Sequence, residues 1–205
     1  MDEQPQPTTP ILNVVGERVA LGPLERALLP LYTRWRNDLG AMRQLDYGRP
    51  WTLEQETARY DALAADAGTT RFTLYARAGD TWRPIGIVAL DSIDQRNQTS
   101  EISVIIGDAA DRNQGHGTEA TRLALDYAFT ALGLHSVMLR VFAYNPAAQR
   151  AYAKAGFREF ARRTEAQLMG GRFWDVIYME CLAREFESPV LRDIFVPDTP
   201  RSEPA

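Results

Sequence analysis

The chain has one cysteine and one lysine in 205 residues, no excess of positive charge, and no apolar run near the roughly 18 residues that a membrane span needs. Each shortage closes off a class of answer. Cys181 has no partner for an internal disulfide, which suits a reducing compartment, and its place in the apolar run DVIYMECL reads as core rather than nucleophile. A formal net charge of −4 and a pI of about 5.3 argue against nucleic acid as a partner and favour positively charged ligands. The N-terminus, MDEQPQPTTP, is acidic where a signal peptide is basic, so the chain reads as cytoplasmic with no membrane partner. That Lys154 is the only lysine among 23 basic residues carries no functional meaning.

What is present suits one domain with a real core, since 45% of the residues are apolar. The expected organisation is a disordered segment over 1–10, a folded domain over 11–188 and a C-terminal tail over 189–205. Leu191, Ile194, Phe195 and Val196 set that tail apart from ordinary disorder and suggest docking on the body or on a second subunit, which makes a homodimer a candidate assembly. Between the ends, RVALGPL reads as a strand, followed by helices near 28–38 and 52–67, the second opened by a Thr52–Gln55 capping box. FTLYARAGDTWRPIGIVALDS reads as a hairpin turning at Gly79-Asp80, DQRNQ as a turn, and TSEISVII as a strand. A helix over 117–132 is amphipathic, with Ala120, Leu123, Ala124, Tyr127, Ala128 and Ala131 on one face. HSVMLRVFA is a strand. NPAAQRAYAKAG is a short helix with Asn145 as cap, Pro146 at the first position and Gly156 past the end. FREFARRT and FWDVIYMECL are strands joined across Gly170-Gly171. The class is α/β in the α+β sense, a mixed twisted sheet of about seven strands flanked by about four helices.

The stretch DRNQGHGTEA, residues 111–120, lies between a strand and a helix and looks built for an anion. Read literally, Gly115-His-Gly117-Thr-Glu-Ala120 matches the dinucleotide pattern GxGxxG/A. That reading fails because seven residues separate Gly107 from Gly115, and because no acidic residue lies between Tyr127 and Arg158 to hold a ribose. A nucleotide P-loop fails for want of Gly-Lys-Ser/Thr. A diphosphate on another carrier, such as acyl-coenzyme A, suits backbone N–H groups at a helix N-terminus, with Arg112 or Arg122 adding charge. The plainer alternative is that the glycines only shape a turn.

Here R112-N-Q-G115-H-G117-T resembles the coenzyme A pyrophosphate loop R/Q-x-x-G-x-G/A of the GNAT N-acetyltransferase superfamily. N145-P-A-A-Q-R-A-Y152-A-K-A-G-F157 resembles that family's next motif, and E101-I-S-V-I-I precedes the loop as its strand does. The similarity runs over roughly 18–185 and matches best the Rim-type and bacterial polyamine N-acetyltransferase branches. It implies a single GNAT-like domain and acetyl-CoA as cosubstrate, without a metal. The coenzyme would be held by Ile105, Ile106, Arg112, Asn113, Gln114, Gly115, His116, Gly117, Thr118 and Asn145, with a backbone N–H near Ile105 at a splayed strand holding the oxyanion. It also implies Tyr152 as the acid that protonates the thiolate. His116 and His135 read as loop residues rather than catalysts.

Acetyl transfer to an amine needs a neutral amine, support for an oxyanion and a proton for the leaving thiolate. Period two puts Glu101, Ser103 and Ile105 on one strand face, and Glu101 is the candidate general base, directly or through water. Attack would be direct, within a ternary complex, leaving Cys181 without a role. For the acceptor, Trp35, Asp38, Trp51 and Glu54 are the candidate contacts, with Asp46, Glu56 and Asp61 beside them, a mixture suited to a cationic amine by charge and cation–π contact. That acceptor is a small-molecule amine, such as a polyamine or an aminoglycoside-like compound, or a protein N-terminus. A reading of a different class, a coenzyme A-binding module without catalysis, stays open at this point.

Overall fold

The computed structural model describes residues 9–45, 49–63 and 65–197. The expected disordered segment falls mostly outside this range, as do Asp46 and the last eight residues. The order of elements is β1 (Val14–Val15), β2 (Val19–Pro23), α1 (Leu29–Asn37), α2 (Leu39–Met42), α3 (Leu53–Leu63), β3 (Thr70–Ala78), β4 (Thr81–Asp94) and β5 (Thr99–Ile106). There follow α4 (His116–Asp126), β6 (Ser136–Phe142), α5 (Pro146–Ala155), β7 (Arg158–Met169) and β8 (Arg172–Leu182).

Among the described residues the sheet has eight strands in the order β1-β2-β3-β4-β5-β6-β8-β7, one more than expected because Val14–Val15 pairs on the outer side of β2. Every pairing is antiparallel except β5 with β6, whose connection carries α4 as a crossover. The expected helix over 117–132 ends early as an α-helix. Its last turn, Tyr127–Ala131, is a π-turn closed by Leu132 N–H on the Tyr127 carbonyl. The helix expected near 28–38 is α1, and the short α2 follows it after Asp38 caps the new start by accepting from Ala41 N–H at 2.8 Å. The capping box at the start of α3 closes as expected, with Thr52 N–H donating to Gln55 Oε1 and Gln55 N–H to Thr52 Oγ1.

Strand alternation sorts the sheet into two faces. On one, Val88 and Leu90 of β4, Ile102 of β5 and Val137, Leu139 and Val141 of β6 pack with Ala120, Leu123 and Ala124 of α4 into the main core. On the other, Ile87 of β4 packs with Leu29, Tyr32 and Trp35 of α1 in a smaller cluster. The second face is thinly covered beyond Ile87, and that is where the cleft opens. The C-terminal tail returns to the body. Asp126, fully buried at the end of α4, accepts from Thr130 Oγ1, Ser188 Oγ and the N–H groups of Val190 and Leu191, and Leu191 is 3% exposed. Ile194, Phe195 and Val196 stay exposed.

Candidate active site

β5 and β6 pair only over Thr99–Ser136, Ser100–Val137 and Glu101–Met138, although β5 continues to Ile106. Beyond Glu101 the two strands diverge, leaving one edge of β5 without a strand partner among the described residues. The ladder to β4 decides which groups face that gap. Gly107 N–H donates to the Ile85 carbonyl at 2.9 Å, so alternation turns the N–H of Ile105 toward β4 and those of Val104 and Ile106 toward the gap. Arg112 Nε donating to the Ile106 carbonyl at 3.2 Å agrees with that direction. A backbone donor does lie near Ile105, but it belongs to its neighbours, because a one-residue step reverses the side of the strand.

The gap leads to the start of α4. Gly115 stands at its N-cap with φ 83° and Asn113, two residues earlier, at φ 61°, so the loop turns through two left-handed residues. Glu119 N–H is bonded to the Gly115 carbonyl, and the N–H groups of the preceding first turn point outward without helical partners. The two glycines differ in their reasons. Gly115 answers a backbone need, since φ 83° is a conformation that L side chains rarely adopt. Gly117 does not, and a Cβ added there meets nothing within 4 Å, so its bareness leaves open space in front of the helix N-terminus.

Around them, Arg112, Asn113, Gly115, Gly117 and Thr118 line a cleft of about 990 Å3, as do Ile105 and Ile106. Gln114 and His116 do not. The Gln114 amide donates to the Ala110 carbonyl and His116 Nδ1 lies 3.2 Å from the Asp111 carbonyl, so both side chains fold back on the turn before them. Arg112 is largely committed, with Nη2 at 2.6 Å from the Gly107 carbonyl and Asp38 at 3.8 Å. It braces the strand end rather than standing free for a phosphate. Arg122 is exposed on α4 and lies outside the cleft. The loop is anchored from behind by Asp111, whose carboxylate receives both Nη atoms of Arg83, and that guanidinium holds the carboxyl below its usual range.

Tyr152 enters from α5 on the main-core face, packed edge-on to Phe157 with ring centroids 6.0 Å apart. Desolvation of its phenol raises the pKa to about 12, so it carries its proton throughout the neutral range. Asn145 also lines the cleft, but its Oδ1 accepts from Ala148 N–H at 3.1 Å as the cap of α5, leaving the amide NH2 as its available group. Cys181 is buried, with its thiol pushed up to about 11 mainly by desolvation, consistent with a packing role.

Glu101 lines the cleft from the opposite face, with Oε1 accepting from Arg140 Nε at 2.8 Å. Glu101 and Tyr152 thus approach from different faces of the sheet, and the gap between β5 and β6 is what joins those faces. The Glu101 neighbour across the ladder is Asp91 of β4, itself bonded by Arg71 at 2.5 Å and by Thr69 Oγ1 at 2.9 Å. Neither Asp91 nor Arg140 is marked in the sequence. Only strand register and pairing bring them beside Glu101.

The early helices do not place the expected acceptor residues on the cleft. None of Trp35, Asp38, Trp51 and Glu54 lines the cleft. Trp35 is 2% exposed and belongs to the Tyr32 cluster, Asp38 is occupied as a cap, and Trp51 stacks under the Arg36 guanidinium at 5.2 Å. Glu54 is exposed in the first turn of α3, where its own backbone N–H and Thr52 lower its pKa. Glu56 is buried against Arg36, and Asp61 is bonded to Arg26. An amphipathic helix pair carries the same residue types whether or not it binds a ligand. What this region brings to the cleft instead includes Gln44, just beyond α2, whose Oε1 is buried without a hydrogen-bond partner among the described residues.

Known proteins are similar in sequence and fold. The spermidine N(1)-acetyltransferase of Vibrio cholerae is 36% identical over 104 residues, half of this chain and 58% of that one. The Escherichia coli K12 protein of the same name is 28% identical over 162 residues, 78% of this chain and 84% of that one. The mouse alpha/beta-tubulin-N-acetyltransferase 9 is 29% identical over 159 residues, 72% and 65% of the two chains. The chain thus spans 58% to 65% of the length of two of these relatives. In structure, the Vibrio cholerae spermidine N-acetyltransferase in complex with CoA and spermine superposes with a TM-score of 0.75 at 27% identity, over 82% of this chain and 97% of that one. The sequence profile of the Acetyltransferase (GNAT) domain matches residues 18–158. That match covers the splayed β5/β6 pair, the glycine loop at the α4 N-terminus and Tyr152 on α5, and the chain belongs to the GNAT acetyltransferase family.

Proposed function

We propose that the protein is an N-acetyltransferase that moves the acetyl group of acetyl-CoA to a primary amine by direct attack in a ternary complex. Acetyl-CoA supplies an acyl group on a good leaving thiolate, and the residues of the chain do the rest. The observation that carries the reading is the β5/β6 gap, where backbone N–H groups, a protonated tyrosine and a carboxylate converge from three directions.

The N–H groups of the first turn of α4 and the space before Gly117 suit a diphosphate. The gap-facing edge of β5 suits the amide-bearing pantetheine arm, with the Asn145 NH2 as a further donor. Glu101, directly or through water, takes the proton of the acceptor ammonium. The free amine forms a C–N bond to the thioester carbonyl while the oxygen, now negative, is held by the N–H of Val104 or Ile106. Collapse breaks the C–S bond as Tyr152 gives its proton to the leaving sulfur, and the second proton lost by the new amide nitrogen passes through water to the tyrosinate, while the first leaves Glu101 for solvent. No atom of the enzyme is acylated.

The acceptor is a small-molecule polyamine. The Vibrio cholerae and Escherichia coli relatives are named for spermidine, and the spermine-bound structure shares this fold. The buried, unpaired Cys181 supports a reducing compartment, the cytoplasm, as the place of reaction. The experiment is a thiol-release assay with acetyl-CoA over an amine library containing spermidine, spermine, an aminoglycoside and a peptide with a free N-terminus. Release with the polyamines supports the reading. Release with the peptide alone moves the acceptor to protein N-termini, and no release with any amine overturns acetyl transfer.

A further inference from the structure

Four charged side chains stand in a row across four neighbouring strands on the face covered by α1–α3: Arg71 on β3, Asp91 on β4, Glu101 on β5 and Arg140 on β6. Asp91 and Glu101 are direct cross-strand partners, and all four line the cleft. Like charges opposite each other in a ladder are unfavourable, and the flanking arginines offset this. They do so unevenly. Asp91 spends Oδ1 on Arg71 and Thr69, and Glu101 spends Oε1 on Arg140. Among the described residues no hydrogen bond reaches Asp91 Oδ2 or Glu101 Oε2, and each side chain keeps about a third of its surface exposed, 34% and 32%. A β-bulge begins at Asp91, with Ser92 at φ 53°, so the β4–β5 ladder breaks beside the carboxylate. Gln44 adds a buried Oε1 that has no partner among the described residues, on the same cleft.

We infer that Asp91 is a specificity-determining residue, which holds the second cationic nitrogen of the acceptor while the reacting nitrogen stands at Glu101. The inference rests on the acetyl-transfer reading above and deepens it. Glu101 borders the gap where the thioester carbonyl is attacked, whereas Asp91 lies one strand farther away, so their roles are not interchangeable. Strands lie about 4.8 Å apart, and two nitrogens joined by a three- or four-carbon chain span a comparable distance. Asp91 Oδ2 accepts and cannot donate, which suits an ammonium and offers nothing to a hydrocarbon end. The acceptor class is therefore an amine with a second cationic nitrogen three or four carbons from the first.

The experiment compares 1,3-diaminopropane and 1,4-diaminobutane with propylamine and butylamine, in wild type, Asp91→Asn and Arg71→Gln, by thiol release and by calorimetric titration of the diamine without acetyl-CoA. Wild type is expected to favour diamines over matched monoamines at least tenfold in kcat/KM. Asp91→Asn should cut that ratio about tenfold, mainly through KM, and weaken the calorimetric Kd by a similar factor. Arg71→Gln, which breaks the same ion pair yet keeps the carboxylate, should retain the preference and separates recognition from a structural role. The inference falls if Asp91→Asn leaves the ratio and the Kd unchanged, or if Arg71→Gln loses the preference equally. Should wild type acetylate only amines outside this class, the acceptor assignment falls while acetyl transfer stands. If no amine releases thiol, acetyl transfer falls, and the diamine Kd in wild type and Asp91→Asn still decides for or against Asp91.

Discussion

Arg140 donates from Nε to Oε1 of Glu101 at 2.8 Å, two residues beyond the last pair that joins β6 to β5. The candidate base is thus held at the mouth of the gap by a cation with 59% of its side chain exposed. Glu101→Gln keeps size and reach but removes the base, so kcat/KM should fall at neutral pH and the defect should narrow as pH nears the acceptor's own pKa. Arg140→Gln relieves competition for the carboxylate and should lower KM for a cationic acceptor by up to about fivefold, as expected for an exposed pair. pH–rate profiles at two ionic strengths check both. A Glu101→Gln profile that differs from wild type only in KM, with the difference erased by salt, would reduce Glu101 to an electrostatic contact.

Tyr152→Phe removes one hydroxyl and little packing, so kcat should drop about 100- to 10,000-fold with acetyl-CoA affinity nearly unchanged. Burial raises the folded pKa to about 12, and the acid form is the active one. Rate should therefore hold through alkaline pH and fall only as pH rises through that value. A wild-type basic limb that begins near pH 8, unaltered in Tyr152→Phe, assigns the proton to another group.

The two glycines should part company. Gly115→Ala forces an L side chain to φ 83° and should cost about 1–2 kcal/mol of stability. Gly117→Val places its side chain in open space, so stability should barely move while acetyl-CoA binding weakens at least tenfold. Denaturant midpoints and calorimetry on the two variants read the difference. Equal coenzyme affinity in Gly117→Val and wild type would make both glycines turn formers.

Asp111 has a folded pKa below the ordinary carboxylate value, chiefly because Arg83 hydrogen-bonds it. Its contribution to stability is then complete above the unfolded pKa and lost as pH falls through the depressed folded value. Arg83 is half exposed, so Arg83→Gln should cost only about 1 kcal/mol, with the gap to wild type closing in acid. Thermal melts across the acid range show this. A gap that stays constant in acid would mean that Arg83 acts through packing alone.

Asp126 should anchor the tail. Asp126→Ala leaves four donors, Thr130 Oγ1 and three within Ser188–Leu191, without their acceptor and should cost about 3 kcal/mol. Deletion from Ser188 onward should overlap with it, the double change costing well under the sum. Urea unfolding of the three proteins measures the coupling, and full additivity would separate Asp126 from the tail.

Local chemistry alone wrote much of this protein. The Thr52–Gln55 box, the Asn145 cap with Pro146 behind it, the Gly79 and Gly170-Gly171 turns and the Gly115–Gly117 loop each act within a few residues, so the sequence displays them and the fold obeys. Strand alternation likewise put Glu101 on its face before any neighbour was known. Three things waited for tertiary structure. The gap-facing N–H groups of Val104 and Ile106 depend on the β4 register, where one residue reverses the side. Trp35, Asp38, Trp51 and Glu54 look like acceptor contacts in sequence because an amphipathic helix uses the same residues to cap, pack and face water. The partnership of Asp91 with Glu101, and of each with an arginine from another strand, exists only once β3, β4, β5 and β6 lie side by side. Contacts between strands are set by register, and register is a property of the whole sheet.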